Sequence, residues 1–311
     1  MRRFGTTMIC ILLLFALCGC AMNPTAPPPE EVRVPITTPI PTPQVTTVPE
    51  GDDLTEIAAI EPQDRELVRL KEFLPELTVD LRYATTENFT GSKVYDFRDA
   101  WLRYGTVKKL AAAAALLEQE GYTLLIWDAY RPTSAQRILW NAKPDEKYVA
   151  NPYKNGSSHS GGGTVDLTLL GPGGASVEMP SGFDNFSTLA DRDYSDVSAE
   201  AAEHAALLES AMTEAGFYPY AAEWWHYQDS ALYTADDLAD VLLPANEGIL
   251  YTPDCEDYIT LRAAPDTKAE ELAHIPVGSA FSLLGFCGSF ARIAYGSQQG
   301  YVLLAYIKIL R

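Results

Sequence analysis

The run SSHSGGGTVDLTL, residues 157–169, sets a histidine in a serine- and glycine-rich loop and an aspartate seven residues later in an alternating apolar segment. Imidazole nitrogen and carboxylate oxygen are zinc ligands, and a catalytic zinc takes three protein ligands and keeps one position open. Alternate residues of a strand face opposite sides. Val165, Leu167 and Leu169 therefore form a core face, and Thr164, Asp166 and Thr168 a polar face pointing away from the core. Gly161, Gly162 and Gly163 let the loop bend sharply and carry His159 back over the strand.

A third ligand must come from the remaining histidines, His204, His226 and His274. His204 sits among alanines and glutamates and reads as a solvated helix residue, and His274 lies in the C-terminal piece. His226 stands in EWWHYQ, three residues after Glu223. The resulting reading is one zinc ion per chain on His159, Asp166 and His226, with Glu223 as the general base toward an acidified water. Each feature also has a plainer reading: a loop hydrogen-bonding histidine, a solvated aspartate, an aromatic core strand. Residues three apart on a regular strand face opposite sides, so Glu223 and His226 share a site only if the strand bends or bulges near Trp224 and Trp225.

The elements that must position these groups are legible around them. A strand is expected at residues 79–84. The alanine- and leucine-rich segment 105–121 is a helix stopped at Gly121, and 122–130 is a buried strand. Pro132 opens a short helix, and 164–170 alternates as a strand. Residues 198–216 form a helix capped by Ser198 and stopped at Gly216, and 223–228 is an aromatic strand. Helices and strands mix without regular alternation, which favours an α+β fold with a central antiparallel sheet. From about residue 250, short apolar runs alternate with Gly, Pro and Ser turns, at the spacing of a small all-β barrel. No internal repeat is evident.

The chain has 311 residues, 47% hydrophobic, enough for about two domains with a real core. Its formal net charge of −19 repels phosphate backbones and argues against a nucleic-acid partner. Arg2 and Arg3 precede an apolar stretch at 8–17, too short to span a membrane and suited to a signal peptide over residues 1–20. That stretch ends in LCGC, which resembles a bacterial lipobox and makes Cys20 the expected lipidated N-terminus; a plain signal peptide or an uncleaved anchor is the alternative. Residues 21–50 hold nine prolines and six threonines and would reach on the order of 90 Å at ~3.1 Å per residue, so 21–60 reads as an extended stalk. Processing would leave Cys255 and Cys287 as an even pair, for which a disulfide is permitted.

Five blocks in order carry a family resemblance: YATTENFTG (83–91), LLIWDAYRP (124–132), the 157–169 run, MPSGFDNF (179–186) and EWWHY (223–227). Over roughly residues 62–245 the chain resembles the D-alanyl-D-alanine dipeptidases, zinc peptidases of the vancomycin-resistance type. The family's Ser-x-His-x-x-Gly-x-Ala-x-Asp motif falls on Ser157, His159, Gly162 and Asp166, and its Glu-x-x-His motif on Glu223 and His226. The resemblance implies that His159, Asp166 and His226 ligate zinc, that Glu223 is the base, and that Arg131 polarises the scissile carbonyl. It further implies that Asp184 and the Ser157 region contact the substrate ammonium. Thr164 replaces the motif alanine, which puts the pocket floor and substrate preference in question. Residues 250–311 resemble a bacterial SH3-like domain, which implies a wall-polymer ligand.

Together these features imply domains at 1–20, 21–60, 61–245 and 250–311. They imply an exported, membrane-anchored lipoprotein on the outer side of the cytoplasmic membrane that hydrolyses D-Ala-D-Ala or related peptidoglycan dipeptides. The alternatives are a D,D-carboxypeptidase or endopeptidase on stem peptides, and a non-catalytic wall-binding lipoprotein. The last predicts lost ligands, whereas every site residue is present.

Overall fold

In the computed structural model, residues 60–310 are described, apart from 236–237, 239–242 and 246–247. The expected signal peptide, Cys20 and nearly all of the stalk lie outside the described residues. The described residues belong to one compact unit.

Two sheets organise it. The first has five strands in the order β2 (Thr78–Val79), β4 (Thr123–Asp128), β5 (Thr164–Leu170), β7 (Glu223–Asp229) and β6 (Phe217–Tyr220). Only the β2–β4 pair is parallel; the others are antiparallel. Helices α1 (Tyr104–Gln119) and α3 (Ala199–Glu214) pack on each other and on this sheet, while α2 (Thr133–Ala142) follows β4.

These helices form for reasons visible in their residues. α1 buries Val107, Leu110, Ala113 and Leu117 at helical spacing, and Gly121 takes φ +84° just beyond its end. In α3 the Ser198 hydroxyl accepts from the Ala201 N–H at 3.1 Å, which caps the first turn. Leu208 and Met212 on its inner face are fully buried, so truncating either would cost about 2–5 kcal/mol. α2 begins at Thr133, with Pro132 in the capping position just outside it.

Two expectations change. The strand expected at 79–84 stops at Val79, and Arg82–Ala84 form one helical turn that buries Tyr83 and Ala84. All of β5 is buried, including Thr164, Asp166 and Thr168, so its polar face is enclosed rather than solvated.

The second sheet has nine strands and is antiparallel throughout. Its main path runs β10 (Glu271–Pro276), β9 (Tyr258–Arg262), β13 (Gln298–Leu303), β12 (Phe290–Tyr295), β11 (Phe281–Cys287), β1 (Leu67–Arg69) and β3 (Trp101–Arg103). β8 (Leu250–Pro253) pairs with β11 and with β14 (Ile307–Ile309). The C-terminal strands thus continue into β1 and β3, with no closure into a barrel among the described residues. The junction is buried. Glu66, fully enclosed, pairs with Arg292 and accepts from the Tyr301 hydroxyl at 2.9 Å. Gly285 faces it, and a Cβ there would lie 2.4 Å from Glu66 Oε1, so only glycine fits.

Cys255 and Cys287 are both free thiols, so the permitted disulfide does not form; Cys287 is buried on β11. Among the described residues, no helix is long and apolar enough to cross a membrane.

Candidate active site

β5 is the floor of the site, and the loop before it delivers His159. That loop makes one helical turn, Ser158–Gly161, with the Ser157 hydroxyl accepting from the His159 N–H at 3.3 Å. Gly162 ends the turn at φ +78°. Gly161 passes so close to Tyr233 that a Cβ would sit 2.2 Å from its carbonyl oxygen. Arg103 on β3 grips the loop from beneath: its Nε donates to the Gly161 carbonyl at 2.7 Å and its N–H to the Gly162 carbonyl at 2.8 Å.

His226 arrives from β7, opposite Asp166 in the ladder. The bulge that Glu223 and His226 require is present. Pro219 pairs with Tyr227 and Tyr220 with Glu223, so β7 advances four residues while β6 advances one. A second irregularity, at Trp127 in β4, brings Asp128 opposite Asp166.

The three expected ligands converge. His159 Nε2 lies 3.3 Å from Asp166 Oδ2, His226 Nδ1 lies 3.0 Å from Asp166 Oδ1, and the two ring nitrogens are 3.3 Å apart. Four donors arranged tetrahedrally ~2.0–2.1 Å from zinc sit roughly 3.3–3.4 Å from one another, so the spacing suits that ion. Two further observations fit a cation. Asp166 Oδ1 is buried with no aligned hydrogen bond, its near neighbour being the His226 ring nitrogen at 3.0 Å. His159 Nδ1 lies 2.8 Å from the Ala129 carbonyl, a bond that places the ring proton there and turns the Nε2 lone pair inward.

Ionisation points the same way. Burial holds the His226 imidazole below its ordinary value, against the pull of Asp166. Burial alone would raise the Asp166 carboxyl, but His159 and His226 outweigh it and hold it low. A neutral imidazole and an ionised carboxylate are the forms that bind metal.

A cavity of about 260 Å³ opens over this cluster, near the small end of ligand sites. His159, Asp166, His226, Glu223, Arg131, Asp184 and Ser157 all line it. Glu223 Oε2 is 3.6 Å from His226 Nδ1. Burial first, then the charges of Asp166 and Asp184, push the Glu223 carboxyl well above the usual range. Asp184, at φ +55°, accepts from the Tyr83 hydroxyl at 3.0 Å. Burial, then Asp166, pushes its carboxyl up to about 7, against Arg131 and the Tyr83 bond.

Arg131 is held rather than free. Its Nε and Nη2 donate to Asp128 at 3.0 and 2.6 Å, and its Nη1 donates to Gln136 at 2.7 Å. Asp128 in turn accepts from the Tyr95 hydroxyl at 2.7 Å. One N–H on each terminal nitrogen is left over from these bonds. Asp128, Gln136, Tyr83 and Tyr95 have no assigned role from sequence. Asp128 and Gln136 are local to Arg131, three residues before and five after it, whereas Tyr83 and Tyr95 meet the site only through long-range contacts.

Two expectations are corrected. Thr164 does not shape the cavity floor: it is fully buried, lies outside the lining and sits about 6.6 Å along the strand from Asp166. His204 is half-buried rather than solvated, with Nδ1 2.8 Å from the Glu178 carbonyl and Nε2 3.2 Å from the Tyr122 hydroxyl.

The family model described as D-ala-D-ala dipeptidase matches residues 63–242. A D-alanyl-D-alanine dipeptidase of Escherichia coli (strain K12) is 36% identical over 163 residues, covering 52% of this chain and 84% of that protein. The Enterococcus faecium protein of the same name is 33% identical over 168 residues, covering 48% and 83%. That of Streptomyces coelicolor is 36% identical over 172 residues, covering 48% and 83%. With more than half of its length inside the family match, the chain belongs to the D-Ala-D-Ala dipeptidase family of peptidases.

Proposed function

We propose that the protein is a zinc-dependent D-alanyl-D-alanine dipeptidase. The observation that carries this is the convergence of His159, Asp166 and His226 within 3.0–3.3 Å of one another, in a cavity that Glu223 and Arg131 also line. Zinc held by those three residues would polarise the scissile carbonyl and acidify water. Glu223 takes the proton of the attacking water and passes it to the departing amine nitrogen as the C–N bond breaks. Its raised affinity for protons suits a group that must take up a proton and release it again. The free N–H groups of Arg131 face the oxygen on which negative charge develops, and Asp128 and Gln136 fix the fork in advance. Asp184 accepts from the substrate ammonium, and Ser157 lines the same cavity.

We further read the chain as exported. Arg2, Arg3, the apolar 8–17 stretch and LCGC support a signal peptide with Cys20 as the lipid-attachment site. The proline- and threonine-rich 21–60 stretch is the stalk, and 250–311 an SH3-like module for wall polymer. Free dipeptide is scarce outside the membrane except as released material, so recycling or peptide trimming is the role this placement supports.

The test is to incubate the purified protein with D-Ala-D-Ala, a D-Ala-D-Ala-terminated stem pentapeptide and a tripeptide, and to identify products by mass. The reading expects two D-Ala from the dipeptide and little release from the others. Preferential loss of the terminal D-Ala from the pentapeptide would make the protein a carboxypeptidase instead.

A further inference from the structure

One half-buried cation beside the site has no part in the proposed chemistry. Arg192 lies between the single helical turn Thr188–Ala190 and α3, with a side chain 9% exposed, and it does not line the cavity. Its Nε donates to the Tyr220 carbonyl at 2.9 Å, and its Nη2 to the His226 carbonyl at 3.1 Å. Its Nη1 donates to Glu209 on α3 at 2.9 Å and to the Tyr227 hydroxyl at 3.1 Å. The guanidinium carbon lies 4.5 Å from the centre of the Tyr227 ring, and the Arg192 N–H donates to the Ala221 carbonyl at 3.2 Å.

These partners surround the β6–β7 bulge. Between the Pro219–Tyr227 and Tyr220–Glu223 pairs, Trp224, Trp225 and His226 have no residue opposite them on β6. A bulge interrupts the ladder there, and the carbonyls it leaves without a ladder partner take donors from elsewhere. Arg192 supplies two, one at each side of the interruption. The task suits arginine, whose planar fork offers five donors at fixed angles, whereas a lysine ammonium presents a point charge. Glu209 and the Tyr227 ring fix the fork from behind.

We propose that Arg192 is a positioning residue for the metal centre. By bonding the Tyr220 and His226 carbonyls, it holds β7 in the bulged shape that turns Glu223 and His226 to one side. This rests on the reading of His159, Asp166 and His226 as a zinc site. Without the clamp, a regular ladder would send Glu223 and His226 to opposite faces.

The test measures zinc affinity by competition with a chelating dye for the parent, Arg192→Ala, Arg192→Lys and Glu209→Gln, beside the thermal midpoint of each zinc-free protein. Residues that orient metal ligands typically contribute about 10–100-fold to affinity. Arg192→Ala should weaken zinc by that factor, and Arg192→Lys should not restore it. Glu209→Gln, which leaves both carbonyl bonds available, should stay within about threefold of the parent even if it lowers the midpoint as far. Unchanged zinc affinity in Arg192→Ala, whatever its midpoint, would overturn the proposal and leave Arg192 an ordinary brace. If Arg192→Ala does not fold, Arg192→Lys decides by the same criterion. A parent that binds no zinc overturns the metal reading and this proposal together; a parent that binds and variants that bind equally overturn only this one.

Discussion

The two sheets of this protein each bury charge, and they do so differently. At the junction of the nine-stranded sheet, Glu66 faces Arg292, and its second oxygen accepts from Tyr301. Every strong acceptor on that carboxylate has a donor. Over the five-stranded sheet, Asp166 and Glu223 are buried and Asp184 half-buried around the same cavity; Arg131 is already engaged by Asp128, and Asp166 Oδ1 has a ring nitrogen of His226 at 3.0 Å but no aligned hydrogen bond. Buried polar groups are normally satisfied, so carboxylates crowded around one cavity with incomplete partners mark a site of chemistry. The satisfied pair marks structure. Both patterns occur in one chain, and the contrast predicts different consequences for mutation.

On turnover, the largest change after metal removal should come from Glu223→Gln, which keeps the shape and removes the proton acceptor. A fall of about 10²–10⁴-fold in kcat with zinc still bound is expected from steady-state kinetics and metal analysis. Near-normal turnover would place the base elsewhere. Arg131→Ala should follow, at roughly 10²–10³-fold in kcat, because it removes donors aimed at a developing oxyanion. A change confined to KM would make Arg131 a binding clamp.

Asp184 should have a smaller effect, visible in substrate choice. A charged hydrogen bond to the substrate ammonium contributes about 1.5–3 kcal/mol, or roughly ten- to a hundred-fold. The kcat/KM ratio of D-Ala-D-Ala over its N-acetyl form should be of that size and shrink in Asp184→Asn. A parent ratio near one would reject recognition of the free ammonium. The pH dependence has a definite sign. A carboxyl raised to about 7 is ionised only above that value, so KM for the free dipeptide should rise as pH falls through it. Bound metal, by offsetting Asp166, moves this limb to lower pH without reversing it, and Asp184→Asn should flatten it.

The junction pair should leave turnover per folded molecule unchanged and act on stability alone. Arg292→Met strands a fully buried Glu66, a change that costs about 3–5 kcal/mol. The thermal midpoint should drop by roughly ten degrees, and Glu66→Met added to Arg292→Met should recover much of it. A proportionate loss of kcat in folded Arg292→Met would erase the distinction between the two sheets.

The difference between the regions also explains what the sequence could reveal. His159 and Asp166 were legible as a local pair because strand alternation and glycine content bring them together, whereas His226 was reached by setting the other histidines aside and through the family blocks. The bulge was legible as a requirement, since Glu223 and His226 cannot otherwise meet, although nothing in EWWH announces its shape. The bounds of β5, α1 and α3 follow from strong periodicity and caps. The strand expected at 79–84 was cut short because Tyr83 and Ala84 are buried in a helical turn, a tertiary demand that β propensity does not carry. The roles of Asp128, Gln136 and Arg192 depend on partners up to 35 positions away, such as Tyr227 for Arg192. The burial of the Thr164–Thr168 face has the same origin: alternation separates two faces but does not say which of them another layer covers. Residues 250–311 read as a barrel from turn spacing, which cannot show that β11 continues into β1.

The central claim is that a zinc ion on His159, Asp166 and His226 makes this protein a D-Ala-D-Ala hydrolase. The most direct measurement is hydrolysis of D-Ala-D-Ala by the purified protein before chelation, after removal of metal, and after zinc is returned, with His226→Ala carried through the same cycle. The account predicts activity that disappears with the metal, returns with about one zinc per chain, and is absent throughout in His226→Ala. Full turnover in the metal-free protein would contradict it.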